Sequence, residues 1–368
     1  MKKITVIGTG NGGLATAFNL AGNGNKVCIY DTENFNQQIE EISLSGGIKG
    51  GNSNVYYPDF EKIELATTDV KSAMAFADIV FIVCPSYAQE TLFEKIIPYM
   101  RTGMTIIMMP GNYGGLILKR MMEEKNMENL ELAFVDAITL PWTCRIIKPG
   151  VINIMGKKRV LPLSIDAPEE KKESIKNQLE DILSIDIEML DNSFISGLEN
   201  INFCGHTVMT ILNMGLLENL KDEFLYYRDC CSEKIAKVYD RLDNERITVG
   251  NALGIEIPTE LQMKNHLYGT CYKTVLELNY NQESYKDIKN MNESSKKGFL
   301  ADTVPYLLVP CYEIGKIMNV ETPLLEALIT IASVYNDTDY FKTGRRLEQM
   351  FRKEDITKEN LIKIFNKL

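Results

Sequence analysis

No other stretch constrains this chain as much as Met1 to Asp31. Lys3 to Ile7 is a short apolar run of β-forming residues. Gly8-Thr9-Gly10-Asn11-Gly12-Gly13 follows at once, and Leu14 to Leu20 is helix-forming with one apolar side. Lys26 to Tyr30 reads as a second strand, and Asp31 closes it. Strand, glycine turn, helix, strand and acid in this order form the phosphate-binding half of a dinucleotide site. Gly8 permits the tight turn, Gly10 lets backbone approach a pyrophosphate, and Gly13 lets helix and strand pack closely. Asn11 and Gly12 open the helix, whose N–H groups and positive dipole favour the anion. Asp31 accepts hydrogen bonds from the ribose hydroxyls and repels a 2′-phosphate. Thr32-Glu33-Asn34 supplies no arginine or lysine to hold that phosphate, so NAD is favoured over NADP.

At 368 residues the chain suits two domains. A hydrophobic content of 45% with 24% charged residues is ordinary for a soluble globular protein. No apolar run approaches the roughly 20 residues that span a bilayer. The N-terminus enters the first strand directly, so no signal peptide is expected. The eight cysteines form no CxxC pair and no zinc-like spacing with either histidine. Several sit inside apolar runs, as reduced core thiols do, and the chain reads as cytoplasmic. A formal charge of −10 argues against nucleic acid or an anionic membrane as partner.

Strands and helices alternate through the first half. Asp78 to Cys84 is an apolar strand closed by Pro85, Thr105 to Met109 another closed by Pro110, and Leu132 to Thr139 a third. Gly150 to Met155 and Val160 to Ile165 read as a strand pair around Gly156-Lys157-Lys158. Such alternation implies a mostly parallel sheet with ligands beyond the carboxyl ends of its strands. Cys84 and Pro85 are accordingly expected beside the cofactor. After about Asn192 the pattern changes to long helical stretches: 194 to 217, 219 to 242, 245 to 253, 259 to 267, 304 to 319, 322 to 335, 344 to 352 and 357 to 367. The expected division is a dinucleotide-binding domain over 1–191 and a helical substrate domain over 192–368.

Ile201 to Leu217 is apolar nearly all round, as a buried helix is. Within it Asn202, His206, Thr210 and Asn213 fall at spacings of 4, 4 and 3, making one polar stripe. Buried polar groups cost free energy unless something bonds them, so the stripe marks a site. His206 is one of only two histidines, and an imidazole suits proton transfer near neutrality. His266 has no polar partners in register and reads as structural or surface.

These residues resemble the opine dehydrogenase family, the octopine/nopaline dehydrogenases. The likeness covers nearly the whole chain and rests on ordered motifs. They are Gly8 to Gly13, Pro110-Gly111-Asn112-Tyr113-Gly114-Gly115, and Thr139-Leu140-Pro141-Trp142-Thr143-Cys144-Arg145. Asn202-(x3)-His206-(x6)-Asn213, Val304-Pro305-Tyr306-Leu307-Leu308-Val309-Pro310 and Gly344-Arg345-Arg346-Leu347-Glu348 follow. The resemblance implies an α/β N-terminal Rossmann domain and an all-α C-terminal domain, with substrates in the cleft between them. It also implies condensation of an amino acid with an α-keto acid and reduction of the resulting imine by NAD(P)H. In the family a histidine, here His206, is oriented by an aspartate, and Thr139 and Arg145 match positions that clamp substrate carboxylates. Asn202, in the stripe with His206, joins the substrate set.

The chain departs from the family pattern in three places. Thr207 follows the histidine where the family has proline. Aligned on Pro305, the family aspartate falls on Thr303, and the nearest carboxylate, Asp302, is one residue early. The family arginine falls on Gly298, with Lys297 beside it. Asp302 is the expected partner of His206 and Lys297 the expected substitute for the arginine. The expected partners are a small-molecule amino acid and keto acid; a homodimer is the expected assembly, which no residue pattern fixes. Two rival readings stay open at this level: a simple NAD-dependent hydroxy-acid dehydrogenase, and a nucleotide-binding sensor without catalysis.

Overall fold

A computed structural model describes residues 1–51, 59–220, 224–286, 288–289 and 299–367. Two compact units divide the chain, Met1–Ser196 and Gly197–Leu368.

Two sheets make up the strands of the first unit. Its strands among the described residues are β1 (Lys3–Ile7), β2 (Lys26–Tyr30), β3 (Gly47–Gly50), β4 (Phe60–Lys62), β5 (Leu65–Thr67) and β6 (Ile79–Ile82). They continue with β7 (Thr105–Met108), β8 (Ala133–Ala137), β9 (Trp142–Lys148), β10 (Val151–Lys157), β11 (Val160–Asp166) and β12 (Asp186–Leu190). The large sheet runs β12-β11-β8-β7-β6-β1-β2-β5, and the small one β4-β3-β10-β9. Every pairing in the large sheet is parallel except β11 with β8. Helices cover such a sheet on both faces, so its strands are apolar throughout rather than alternating. Ile4, Val6, Ile29, Phe81 and Ile107 are accordingly fully buried. Chain order reverses between β1 and β6, and the carboxyl ends of that pair are where open α/β sheets take ligands.

The expected pairing of Gly150–Met155 with Val160–Ile165 is not formed. β10 pairs antiparallel with β9, whereas β11 lies in the large sheet between β8 and β12. The turn between them passes the chain from one sheet to the other. It is fixed by Lys158, whose backbone N–H donates to Pro141 O at 2.9 Å.

The second unit is helical, but its helices break where periodicity alone does not show. The expected helix over 194–217 is three pieces: Ser193–Leu198, Gly205–Ile211 and Met214–Asn219. Asn200 Oδ1 accepts the Asn202 N–H at 2.9 Å, and Asn213 Nδ2 turns back onto Met209 O at 2.8 Å. Asparagine competes with helical hydrogen bonding in this way. Conversely, the expected helices over 219–242 and 245–253 give way to a short Tyr226–Asp229 helix and one continuous helix, Glu233–Ala252, started by the Ser232 cap on Ile235 N. Glu260–Tyr268 begins with a reciprocal Thr259–Gln262 capping box.

Val304–Leu308 is a π-helical stretch leading into the Val309–Met318 helix. Pro305 lies within it and Pro310 just beyond it, and each lacks the N–H that a regular helix would use. The Pro305 carbonyl instead accepts the Arg345 N–H at 2.8 Å. The Arg345 guanidinium lies 4.8 Å from the centre of the Tyr306 ring. Two of the ordered sequence motifs are thus one packing unit.

Candidate functional site

The glycine turn is built as its spacing requires. Gly8 follows β1 with φ +113°, and a Cβ there would stand 2.2 Å from Val83 O, at the end of β6. A Cβ on Gly13 would stand 1.9 Å from Gly8 O, so only glycine allows the Asn11–Gly22 helix to approach the turn. Gly10 faces open space, and no side chain caps the helix start. A Cβ on Gly12 would press on Leu140 and Val83. Asn11 has a framework role: its Oδ1 accepts the Ile146 N–H of β9 at 2.7 Å. Asp31 Oδ2 accepts both the N–H and the hydroxyl of Thr9 at 2.7 Å, and Oδ1 accepts the Thr32 N–H at 2.7 Å. The acid is therefore locked to the turn that it accompanies.

Half-buried Cys84 and exposed Pro85 follow β6 at the sheet's reversal point. Next to them lies Pro110–Gly115, which the sequence marked only as a motif. Asn112 (φ 49°) and Tyr113 (φ 66°) are both left-handed. Two such non-glycine residues in a row are strained and need outside support. Asn112 Nδ2 donates to Ser86 Oγ at 2.7 Å, and Gln89 Nε2 donates to Gly111 O at 3.3 Å. The fully buried Asp136 of β8 accepts the Gly115 N–H at 3.1 Å. A Cβ at Gly111 or Gly115 would strike that carboxylate, at 2.4 and 2.2 Å.

Thr139 is buried, and its hydroxyl accepts from Lys158 Nζ at 3.2 Å. Lys158, only 6% exposed, also donates to Leu140 O. Its burial makes this cation part of the Thr139 segment, a role its place in a charged turn did not signal. Arg145 is half-buried and donates to Cys144 O at 2.8 Å.

In the second unit His206 lies half-buried near the start of the Gly205–Ile211 helix. Its ring stacks on Phe299, with centroids 3.8 Å apart and planes at 11°. Residues 299–303 are helical, so Asp302 and Thr303, three and four residues on, share the face that carries Phe299. Asp302 is half-buried and Thr303 is 2% exposed. Lys297 lies outside the described residues. Asn202 is half-buried one turn before His206, and its carbonyl accepts the His206 N–H at 3.3 Å.

The rest of the polar stripe is structural. Thr210 Oγ1 and Tyr226 Oη are 2.8 Å apart, and Asn213 Nδ2 reaches the Met209 and Cys230 carbonyls at 2.8 and 2.9 Å. His266 is exposed on the last turn of its helix.

Sequence reasoning passed over a buried charged cluster against the peptide just ahead of His206. Glu260 Oε2 accepts the Cys204 N–H at 2.7 Å and Oε1 the Gly205 N–H at 3.4 Å. Lys264 Nζ lies 2.8 Å from Glu260 Oε1 and donates to Tyr239 Oη at 3.0 Å, and that phenol donates to Glu260. Glu260 also donates its own N–H to Asp243 Oδ2 at 2.8 Å. Asp243 pairs with Arg246 at 2.6 Å, and Arg246 reaches the carbonyls of Leu198 and Pro258 at 2.8 and 2.7 Å. Burial works against the Lys264 ammonium, but the charge and hydrogen bond of Glu260, together with Tyr227 and Tyr268, hold the amine above its ordinary value. Burial, helped by Glu260, pushes the Tyr239 phenol well up. Removing one partner of such a buried pair costs roughly 3–5 kcal/mol. The i, i+3 and i, i+4 spacings of Asp243–Arg246 and Glu260–Lys264 were the one available signal; on an exposed face the same spacings mean little.

A doubly wound sheet, a glycine turn and an acid locked to it are the arrangement of a dinucleotide-binding domain. Among the described residues, no group of three or more His, Cys, Asp or Glu is placed to hold a metal ion. No described helix is long and apolar enough to cross a membrane.

Residues 3–131 match the model of the NAD-dependent glycerol-3-phosphate dehydrogenase N-terminus, and 189–336 that of the NAD/NADP octopine/nopaline dehydrogenase alpha-helical domain. An opine dehydrogenase of Arthrobacter sp. (strain 1C) is 29% identical over 352 residues, 95% of each chain. An octopine dehydrogenase solved with NADH and L-arginine shares the fold at TM-score 0.73 and 17% identity, covering 98% of this chain and 96% of that one. A yersinopine dehydrogenase shares it at TM-score 0.70 and 11% identity, covering 100% and 99%. Over 189–336 the chain matches the family's alpha-helical domain, and along nearly its whole length it is similar to opine dehydrogenases, NAD(P)-dependent oxidoreductases acting on CH–NH bonds.

Proposed function

We propose that this enzyme condenses the amine of an amino acid with the carbonyl of an α-keto acid and reduces the imine to a secondary amine, with His206 as general acid/base. Residues 1–191 bind the dinucleotide in this reading, and 192–368 carry the proton-transfer pair. Gly8, Gly10, Gly12 and Gly13 give the pyrophosphate its close approach, with backbone N–H groups of the Asn11 turn. Asp31 takes the ribose hydroxyls, and its charge favours NADH over NADPH. Cys84 and Pro85 border the nicotinamide. When bound, the reduced cofactor supplies the hydride.

The chain's own residues handle protons and carboxylates. Loss of water from the amine–carbonyl adduct needs a proton on the departing hydroxyl, and reduction needs one on nitrogen. An imidazole gives up and regains a proton near neutral pH, which suits both steps. Asp302 holds that imidazole in orientation. Thr139, Arg145, Asn202 and Lys297 hold the substrate carboxylates, where an arginine offers a planar fork and a lysine a point charge.

The observation that carries the reading is the stacking of His206 on Phe299, with Asp302 on the same helical face. The cysteines stand as free thiols, mostly buried, which supports a reducing, cytoplasmic setting. The proposed assembly is a homodimer, which sedimentation checks. The test of function is NADH loss with α-keto acids alone and then with an amino acid panel added. Oxidation that requires both substrates is expected. Full turnover with keto acid alone would make this a hydroxy-acid dehydrogenase, and NADH binding without turnover a sensor.

A further inference from the structure

We propose that Glu260 is a positioning residue for His206, fixing the peptide just ahead of it and balancing the charge beside that peptide. The inference rests on the reading of His206 as proton donor. Cys204 and Gly205 are the two residues before the histidine, and both donate their N–H groups to the one carboxylate. That carboxylate is itself immobilised, since Tyr239 and Lys264 hold it from two helices, and Asp243 fixes the Glu260 backbone N–H. Glu260 and Lys264 are 2% and 4% exposed, so solvent screens little of their charge. A catalytic imidazole placed by so rigid a support keeps its geometry without rearrangement.

The buried cluster that holds the Cys204–Gly205 peptide balances in charge. Glu260 and Lys264 lie on one helix, and Asp243, Arg246 and Tyr239 on another. Asp302 lies on the segment that carries Phe299, and Tyr226 stands edge-on to that same ring at 5.9 Å. The two acids and two cations of the cluster cancel. Glu260→Gln leaves one positive charge in excess beside the Cys204–Gly205 peptide that leads into His206, which disfavours the imidazolium.

The chain has only two histidines, so both imidazoles can be followed by NMR in the full-length protein, with His266→Gln for assignment. In Glu260→Gln the His206 titration should move to lower pH. Its kcat should fall about 10- to 100-fold with KM nearly unchanged, as expected of a misplaced catalytic group. If that variant fails to fold, Glu260→Gln/Lys264→Met removes both charges together. There the titration should return towards the wild-type midpoint while kcat stays low, because the two N–H groups still lack their carboxylate. Folded variants with wild-type titration and wild-type kcat would overturn the proposal and leave Glu260 a structural residue. A His206→Ala enzyme that kept full activity would instead overturn the proton-donor reading, even if the Glu260 variants still moved the titration.

Discussion

The two units hold their functional residues in opposite ways. In the first, the glycine turn and its acid sit on adjacent strands within thirty-one residues of sequence. They are joined by short local contacts: Thr9 to Asp31, Gly8 to Tyr30, Gly13 against Gly8. In the second, His206 is supported by residues from three distant segments: Phe299, Glu260 with Lys264, and Asp243 with Arg246. A dinucleotide site can be written in one supersecondary unit because it is made mainly of backbone. A proton-transfer site needs side chains of defined orientation, and those must be packed from elsewhere.

The comparison breaks most sharply at His206. His206→Ala should lower kcat by about 10² to 10⁴ while NADH binding stays as it was, because general acid–base catalysis typically contributes that much. Near-wild-type turnover would remove the histidine from the mechanism. Asp302→Asn should follow with a strong loss of kcat and little loss of fold, whereas Thr303→Val should be mild. The reverse ranking, read from the two kcat values, would show that the family position works here without its carboxylate.

Substitutions in the first unit should act on binding and stability instead. Gly13→Ala places a methyl against Gly8 O, and overpacking of that kind costs about 1–3 kcal/mol. A lowered unfolding midpoint with weakened NADH binding is expected in a denaturant titration followed by a fluorescence titration. Asp31→Ala should narrow the preference for NADH over NADPH, measured as the ratio of kcat/KM, without abolishing either. Comparable kcat/KM for the two cofactors in the wild type would contradict the assignment of Asp31.

A smaller effect should be common to both units. Burial pushes the thiols of Cys28 and Cys230 up to about 12 and that of Cys144 to about 11, from an ordinary 9.0. The native state then keeps protons that the unfolded chain gives up. The contribution to stability is complete below pH 9.0 and is lost as pH rises towards the native values. Denaturant midpoints should fall above pH 9, and a flat profile there would show that these thiols are solvated.

How much of this was legible follows from the same contrast. The mostly parallel sheet and the glycine turn with its acid could be read because apolar strand runs and glycine spacing are local signals; the reversal at β1 and β6 could not, because strand order is set by long-range pairing. The small sheet could not: β3 and β4 are short, and β10 looks like a partner for β11 until Lys158 turns the chain away. The helix over 194–217 was misread because Asn200 and Asn213 end helical turns through side-chain bonds that periodicity ignores. His206 stood out as a polar residue in an apolar run. Glu260 did not, because a Glu-Lys pair four residues apart looks the same on a solvated face and in a core.

The account is tested most directly by following the hydride. Incubation with NADH carrying deuterium at the transferable position, an α-keto acid and an amino acid should yield a secondary-amine dicarboxylate one deuterium heavier than the unlabelled product. Deuterium found only in a 2-hydroxy acid, whichever amino acid is present, would contradict it.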